Sequence, residues 1–169
     1  MWTDQLKESI PDYAKDIKLN LDAVINRSSV DQEFAKYLSL SAAVATGNGK
    51  LVSFIASFAT DEVEKNAAMS AASLMAQNNI WYPYIEMADD RDLKGLPAQL
   101  RMNVISTHGG TTKAKFEAYS LISSIIGKCH FCVKSHYETL KQEGYTVEQL
   151  RDIGRIASTI NALSKILTA

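Results

Sequence analysis

Proline is nearly missing from this chain. Pro11, Pro83 and Pro97 are the only three in 169 residues, so positions 12–82 and 98–169 hold none. Proline removes a backbone donor and breaks helix interiors, so its scarcity leaves room for long helices. Net charge is nearly missing as well: 18 Lys and Arg stand against 19 Asp and Glu, a formal charge of -1. That balance removes the bulk electrostatic case for nucleic acid or an anionic membrane surface as a partner. No apolar run approaches the roughly 18 residues that a membrane span needs. Asp4, Lys7, Glu8, Asp12, Lys15, Asp16 and Lys18 deny the first 20 residues the apolar centre of a secretory signal. The expected location is therefore the reducing cytoplasm. Disorder is excluded by a hydrophobic content of 46% beside so small a net charge. The length is enough to bury one core, and a single domain over 1–169 is expected.

What is present points to helices. Alanine is abundant, and apolar residues recur at helical rather than alternating spacing, which predicts a compact all-α domain. A first helix is expected over about 3–22, with Leu6, Ile10, Tyr13, Ile17 and Leu21 on one stripe. A second over about 30–46 stops at Gly47-Asn48-Gly49, and a third covers about 50–59. Asp61 caps a fourth that runs to about 77, with Glu64 in the capping-box position. Residues 79–97 read as a loop, broken by Pro83, Asp89-Asp90 and Gly95-Leu96-Pro97. A short helix over about 98–107 and a longer one over about 112–126 follow, the latter ending near Gly127. The next begins around Cys129 and closes at Gly144, and Thr146 to Gln149 is a capping box for the last, which runs to about Leu167. A faint repeat sets Leu38-Ser39-Leu40 and Ala42 to Ala45 against Tyr119-Ser120-Leu121 and Ser123 to Ile126. It suggests two copies of one helical unit, with Asn48 and Leu51 where the second copy has its cysteines.

Cysteine is scarce, but its placement is informative. Cys129 and Cys132 are the only two, and about 1% of random pairs would fall at this spacing. In a reducing compartment such a pair points to catalysis or metal binding before a static staple. In the first turn of a helix, Cys129 would feel unsatisfied N–H groups and the positive dipole end, both of which favour thiolate; Lys128 acts in the same sense. Cys129, Cys132 and His136 fall on one helical face, with His136 near enough to Cys132 to take its proton. If the preceding helix folds back across Gly127-Lys128, Glu117 and His136 both lie roughly 13 to 15 Å from the turn and become level. Ser120 and Ser124 share the Glu117 face, where small side chains let helices approach. The set reads as a Glu–His–Cys relay with a second cysteine beside it: a thiolate becomes sulfenic acid, its neighbour condenses to a disulfide, and an external dithiol resets the pair. The dipole favours Cys129 as nucleophile and the relay favours Cys132.

Two plainer readings compete. Zinc needs four ligands, and beyond the cysteines only His108, His130, His136 and Glu117 are on offer; His136 stands about 10.5 Å in rise from Cys129. The pair is alternatively a redox-inert buried one. His108, before Gly109-Gly110, reads as a loop or capping residue. Met69, Met75, Trp81 and Tyr82 read as core or subunit interface.

Around these residues the chain resembles the alkyl hydroperoxidase D family of the carboxymuconolactone decarboxylase-like superfamily. The stretch FEAYSLISSIIGKCHFCVKSHYETL, residues 116–140, carries the resemblance, helped by MAQNNIWYPY from Met75, LPAQLRMNVI from Leu96 and, more loosely, RIASTINALSKIL near the end. A glutamate 12 residues before CxxC with a histidine four after the second cysteine is the specific element. The resemblance implies an all-α fold with a duplicated helical unit, assembled as a homotrimer, and antioxidant reduction of hydroperoxides. It implies dihydrolipoamide as reducing co-substrate, carried on the acyltransferase of a 2-oxo acid dehydrogenase, no tightly bound cofactor, and a peroxiredoxin as partner. Position by position, it implies Cys132 as the peroxide-attacking thiol that becomes sulfenic acid. Cys129 is then the proton donor and resolving thiol, and Glu117 and His136 the proton relay. One departure stands out. Phe131 occupies the place before the second cysteine where characterised members can carry a histidine, and His130 stands one residue earlier. A dithiol electron adaptor with little direct peroxidase activity is the alternative this leaves open.

Overall fold

Ten α-helices and two single 3-10 turns make up the computed structural model, which describes residues 1–167; no strand occurs among them. The helices are α1 (Trp2–Glu8), α2 (Lys15–Asn26), α3 (Gln32–Thr46), α4 (Gly49–Phe58), α5 (Glu62–Ala88), α6 (Arg91–Gly95), α7 (Val104–Thr107), α8 (Lys113–Gly127), α9 (His130–Gln142) and α10 (Val147–Ile166). The all-α expectation therefore holds. Side-chain caps set many of the boundaries. Asp31, Asn48, Asp61, Thr112 and Thr146 each accept a backbone N–H at the start of the helix that follows, and Thr146 closes the expected box with Gln149.

The repeat is visible as a register. α3 and α8 are both 15 residues long and begin 81 positions apart (113 − 32). The same offset relates the left-handed residues Gly47 and Lys128 and the caps Asn48 and Cys129. α3 and α8 lie side by side at the centre, where the Ser41 hydroxyl donates to the Tyr119 carbonyl (3.0 Å) and meets the Ser123 hydroxyl (2.9 Å). Around them a connected core gathers Leu21, Ile25, Leu38, Leu40, Leu51, Ile55, Phe116, Tyr119, Ile122, Ile153 and Ile160. The long helices α5 and α10 cross over. α5 packs on α8 and α9, while the Asn48 amide donates to the Ser164 carbonyl of α10 (2.7 Å). Each unit's last helix thus covers the small turn of the other unit.

Four expectations need correction. The first helix is broken: α1 ends at Glu8, and Pro11, which cannot donate and restricts the residue before it, caps the 3-10 turn Asp12–Ala14 before α2 begins. The expected loop over 79–97 is mostly helical. α5 continues through Pro83 to Ala88, and α6 follows after Asp89 takes a left-handed φ of 47°. Aromatic packing holds this segment in shape: Tyr82 stacks on Phe131 (4.7 Å between centroids) and Trp81 leans on Tyr84 (6.0 Å). The short helix expected over 98–107 shrinks to Val104–Thr107 plus a 3-10 turn. Leu96 before Pro97 is extended, and Gln99 sits at a φ of 52°. Finally, Glu64 does not close a box on Asp61. The Asp61 N–H goes to the Tyr37 hydroxyl (2.9 Å), and the Glu64 carboxylate turns inward to Lys115, Thr111 and Tyr119.

Candidate redox site

The site is built on the turn between α8 and α9. α8 ends when Lys128 adopts a left-handed φ of 54°, with its N–H on the Ile125 carbonyl (3.1 Å) and the Cys129 N–H on the Ser124 carbonyl (3.3 Å). Gly127 allows α5 to come close: a β-carbon there would fall 2.1 Å from the Asn79 amide nitrogen. Asn79 instead reaches across to donate to the Ser123 carbonyl (3.2 Å).

Cys129 lies one position earlier than a first-turn residue. It is the N-cap of α9, and its Sγ accepts the Cys132 N–H at 3.2 Å. The sulfur therefore sits where unsatisfied N–H groups and the helix dipole stabilise negative charge most. Cys129 and Cys132 are joined as a disulfide, with their Cα atoms 5.3 Å apart. Both are buried, at 0% and 3% exposure. The Cys132 sulfur lies 3.8 Å from the Asn78 carbonyl oxygen of α5, which is an acceptor in place for the thiol once the bond is reduced.

The helix hairpin brings Glu117 and His136 level, as the residue count predicts. Their Oε2 and Nδ1 are 2.6 Å apart, with both side chains more than four-fifths buried. The other ring nitrogen, Nε2, is 3.2 Å from the Met75 Sδ of α5. Glu117, His136 and Met75 form a row across three helices, one helical turn along α9 from Cys132. Both ring nitrogens are thus engaged elsewhere while the disulfide is closed. The direct His136–Cys132 contact expected from the sequence is replaced by this row.

The remaining sequence candidates do not converge on the sulfurs. His130 is exposed and lines a separate surface groove with Ile125, Lys128, Val133 and Tyr137. Phe131 is 55% exposed and stacks on Tyr82. His108 caps α7 in a left-handed conformation, with its ring 6.0 Å from Phe116. Among the described residues no three His, Cys, Asp or Glu side chains are grouped to hold a metal ion. Ser120 and Ser124 are fully buried, as a close helix approach requires, and no partner among the described residues meets their hydroxyls. Met75 and Asn78 are the residues that sequence reasoning missed. Neither has a charge or a spacing that marks chemistry, although Met75 opens one of the stretches carrying the family resemblance. Two sulfurs that can bond, a dipole favouring thiolate and an adjacent carboxylate–imidazole pair together equip the site for dithiol–disulfide cycling.

Comparison with known proteins agrees. The pattern of the Carboxymuconolactone decarboxylase family matches residues 91–169. The alkyl hydroperoxide reductase AhpD of Maricaulis maris (strain MCS10) is 35% identical over 172 residues, covering 100% of this chain and 99% of the relative. The protein of the same name from Coxiella burnetii (strain Dugway 5J108-111) is 37% identical over 166 residues, covering 95% and 93%. That from Rhodopseudomonas palustris (strain BisB18) is 37% identical over 172 residues, covering 100% and 94%.

Proposed function

Since the chain belongs to the AhpD group of the carboxymuconolactone decarboxylase family, an alkyl hydroperoxide reductase-like oxidoreductase group, we propose a specific cycle for its two cysteines. The Cys132 thiolate attacks the terminal peroxide oxygen. The O–O bond breaks, an alcohol leaves after taking up a proton, and Cys132 becomes sulfenic acid. The Cys129 thiol, the proton donor of the first step, then attacks Cys132 as a thiolate; water leaves and the disulfide forms. A dihydrolipoyl group, carried by the acyltransferase of a 2-oxo acid dehydrogenase, returns both sulfurs to thiols by two thiol–disulfide exchanges and is itself oxidised to the cyclic disulfide. Glu117 and His136 relay the protons. The same dithiol passes electrons to a partner peroxiredoxin, no tightly bound cofactor is needed, and the setting is the reducing cytoplasm. The protein works as a homotrimer; Ile80, Tyr84 and Met87, exposed at helical spacing on the outer half of α5, supply an apolar surface suited to subunit contact.

The observation that carries this reading is the Cys129–Cys132 disulfide at the start of α9, one turn from the Glu117–His136 pair. It is tested by mass spectrometry of the reduced chain. Peroxide should remove two hydrogens between Cys129 and Cys132, and dihydrolipoamide should restore them. A chain that keeps both thiols under peroxide, or a disulfide that the dithiol leaves intact, overturns the cycle. Phe131, standing where relatives can carry a histidine, favours a second reading: an electron adaptor between lipoyl groups and a peroxiredoxin, with little peroxidase activity of its own. Stopped-flow turnover with and without the peroxiredoxin separates the two.

A further inference from the structure

Met75 is 2% exposed and comes from α5, the crossed-over helix, yet its sulfur meets the one ring nitrogen of His136 that Glu117 leaves open. Both partners of the ring are acceptors. An ionised carboxylate has no proton to give, and a thioether has none in any state. Nδ1 therefore carries a proton toward Glu117. At 3.2 Å, within hydrogen-bonding reach of sulfur, Nε2 can donate to Met75 when it carries a proton as well. A ring protonated at Nδ1 alone would make no such bond. From α8 the ring meets Glu117, from α5 it meets Met75, and on its own helix Cys132 lies one turn away in the disulfide.

We propose that Met75 is a positioning residue that holds His136 doubly protonated while the disulfide is closed, so that a proton is stored one turn from the sulfurs before reduction begins. This rests on the dithiol cycle proposed above. When an external dithiol attacks as thiolate, one sulfur of the pair enters a mixed disulfide, the S–S bond breaks, and the other sulfur leaves as thiolate. The stored proton moves from His136 Nε2 to that thiolate, which gives a thiol and a neutral imidazole. The unbranched thioether has three side-chain torsions with which to withdraw from Nε2. Asn78, one turn along α5, offers its carbonyl to the Cys132 thiol that results.

The test uses the oxidised full chain. With only three histidines in the sequence, the His136 ring is readily assigned in 15N-labelled protein by comparison with His136→Gln. At neutral pH the wild-type ring should show protons on both nitrogens, with the Nε2 proton protected from solvent exchange. Met75→Leu keeps the volume and removes the acceptor, so that proton should be lost; Met75→Gln supplies a carbonyl acceptor and should restore it. Reduction by dithiothreitol should slow roughly fivefold in Met75→Leu, the factor expected from one hydrogen bond, and recover in Met75→Gln. A wild-type ring with a bare Nε2 overturns the proposal without recourse to any variant. So does a Met75→Leu chain whose ring signals match the wild type. Loss of the peroxide cycle alone would leave the ring signals as they are, so the two ideas fail separately.

Discussion

Asn48 and Cys129 stand 81 positions apart and are structural equivalents. Each side chain caps the following helix by accepting the N–H three residues on, at 3.0 Å from Leu51 and 3.2 Å from Cys132. The same offset takes Glu117 to Lys36, Cys132 to Leu51 and His136 to Ile55. One unit therefore carries the redox set, while the other keeps the scaffold and fills the equivalent places with an amide, two aliphatic side chains and a lysine paired to Glu33. Asn48→Ala should cost about 1 to 2 kcal/mol of stability, through the lost cap and the lost bond to the Ser164 carbonyl, and leave disulfide reduction by a small dithiol unchanged. Chemical denaturation and a dithiol titration check the two halves of this statement.

Serine is a good helix cap, so Cys129→Ser should fold with α9 intact. Cys132→Ser should abolish trapping of sulfenic acid under limiting peroxide. Cys129→Ser should instead accumulate it, because the thiol that would condense with it is gone. Sulfenic acid appearing at Cys129 in the Cys132→Ser chain would reverse the two roles. A dimedone-type probe with peptide mapping reads both variants.

Glu117→Gln keeps the shape of the side chain and removes the negative charge 2.6 Å from His136. If the pair relays protons, hydroperoxide turnover should fall by about 100-fold, at the lower end of what positioned acid–base groups contribute. The melting temperature should move by only a few degrees, since the glutamine oxygen can still accept a hydrogen bond from His136. Steady-state kinetics beside a thermal melt separates the two effects.

Acid sensitivity should trace to Asp152. Its side chain is 1% exposed and ties α10 to the chain entering α3. Burial alone would raise its carboxyl. The Ser29 N–H and hydroxyl, with the guanidinium groups of Arg155 and Arg151, outweigh that and hold it far below the usual carboxylate range. A group depressed on folding adds stability that is fully present above its unfolded value, near pH 4, and is lost as pH falls toward the folded one. Asp152→Asn should cost about 2 to 3 kcal/mol at pH 7 and flatten the fall in stability below about pH 4. Urea unfolding across pH measures this.

Glu64, in the first turn of α5, behaves in the same sense. Burial pushes its carboxyl up, but hydrogen bonds from Lys115, Tyr119 and Thr111 prevail and hold it below the ordinary value; Tyr119, buried against it, is pushed far up. Glu64→Gln should destabilise by about 1 to 3 kcal/mol at pH 7, by leaving Tyr119 a poorer acceptor in the core. Thermal unfolding beside the wild type checks this.

Much of the fold was legible because local rules set it: caps at Asp61 and Thr146, the glycine stop after α3, the turn after Gly127. Counting residues across that turn was enough to place Glu117 beside His136. The rest depended on tertiary contacts. Pro83 reads as a breaker, and nothing local announces that Tyr82 and Phe131 stack and that α5 runs on to Ala88. Glu64 fits a capping box on paper; a buried tyrosine hydroxyl and a lysine compete for it. Met75 is invisible as chemistry because its role depends on how α5 crosses from one unit to the other.

The near-complete burial of Cys129 and Cys132 has a kinetic consequence. A reductant cannot strike a sulfur it does not touch, so the chain must breathe before the bond can be cut. The observed rate should then climb with dithiol concentration and level off at the frequency of opening, in place of the straight line that an exposed disulfide gives.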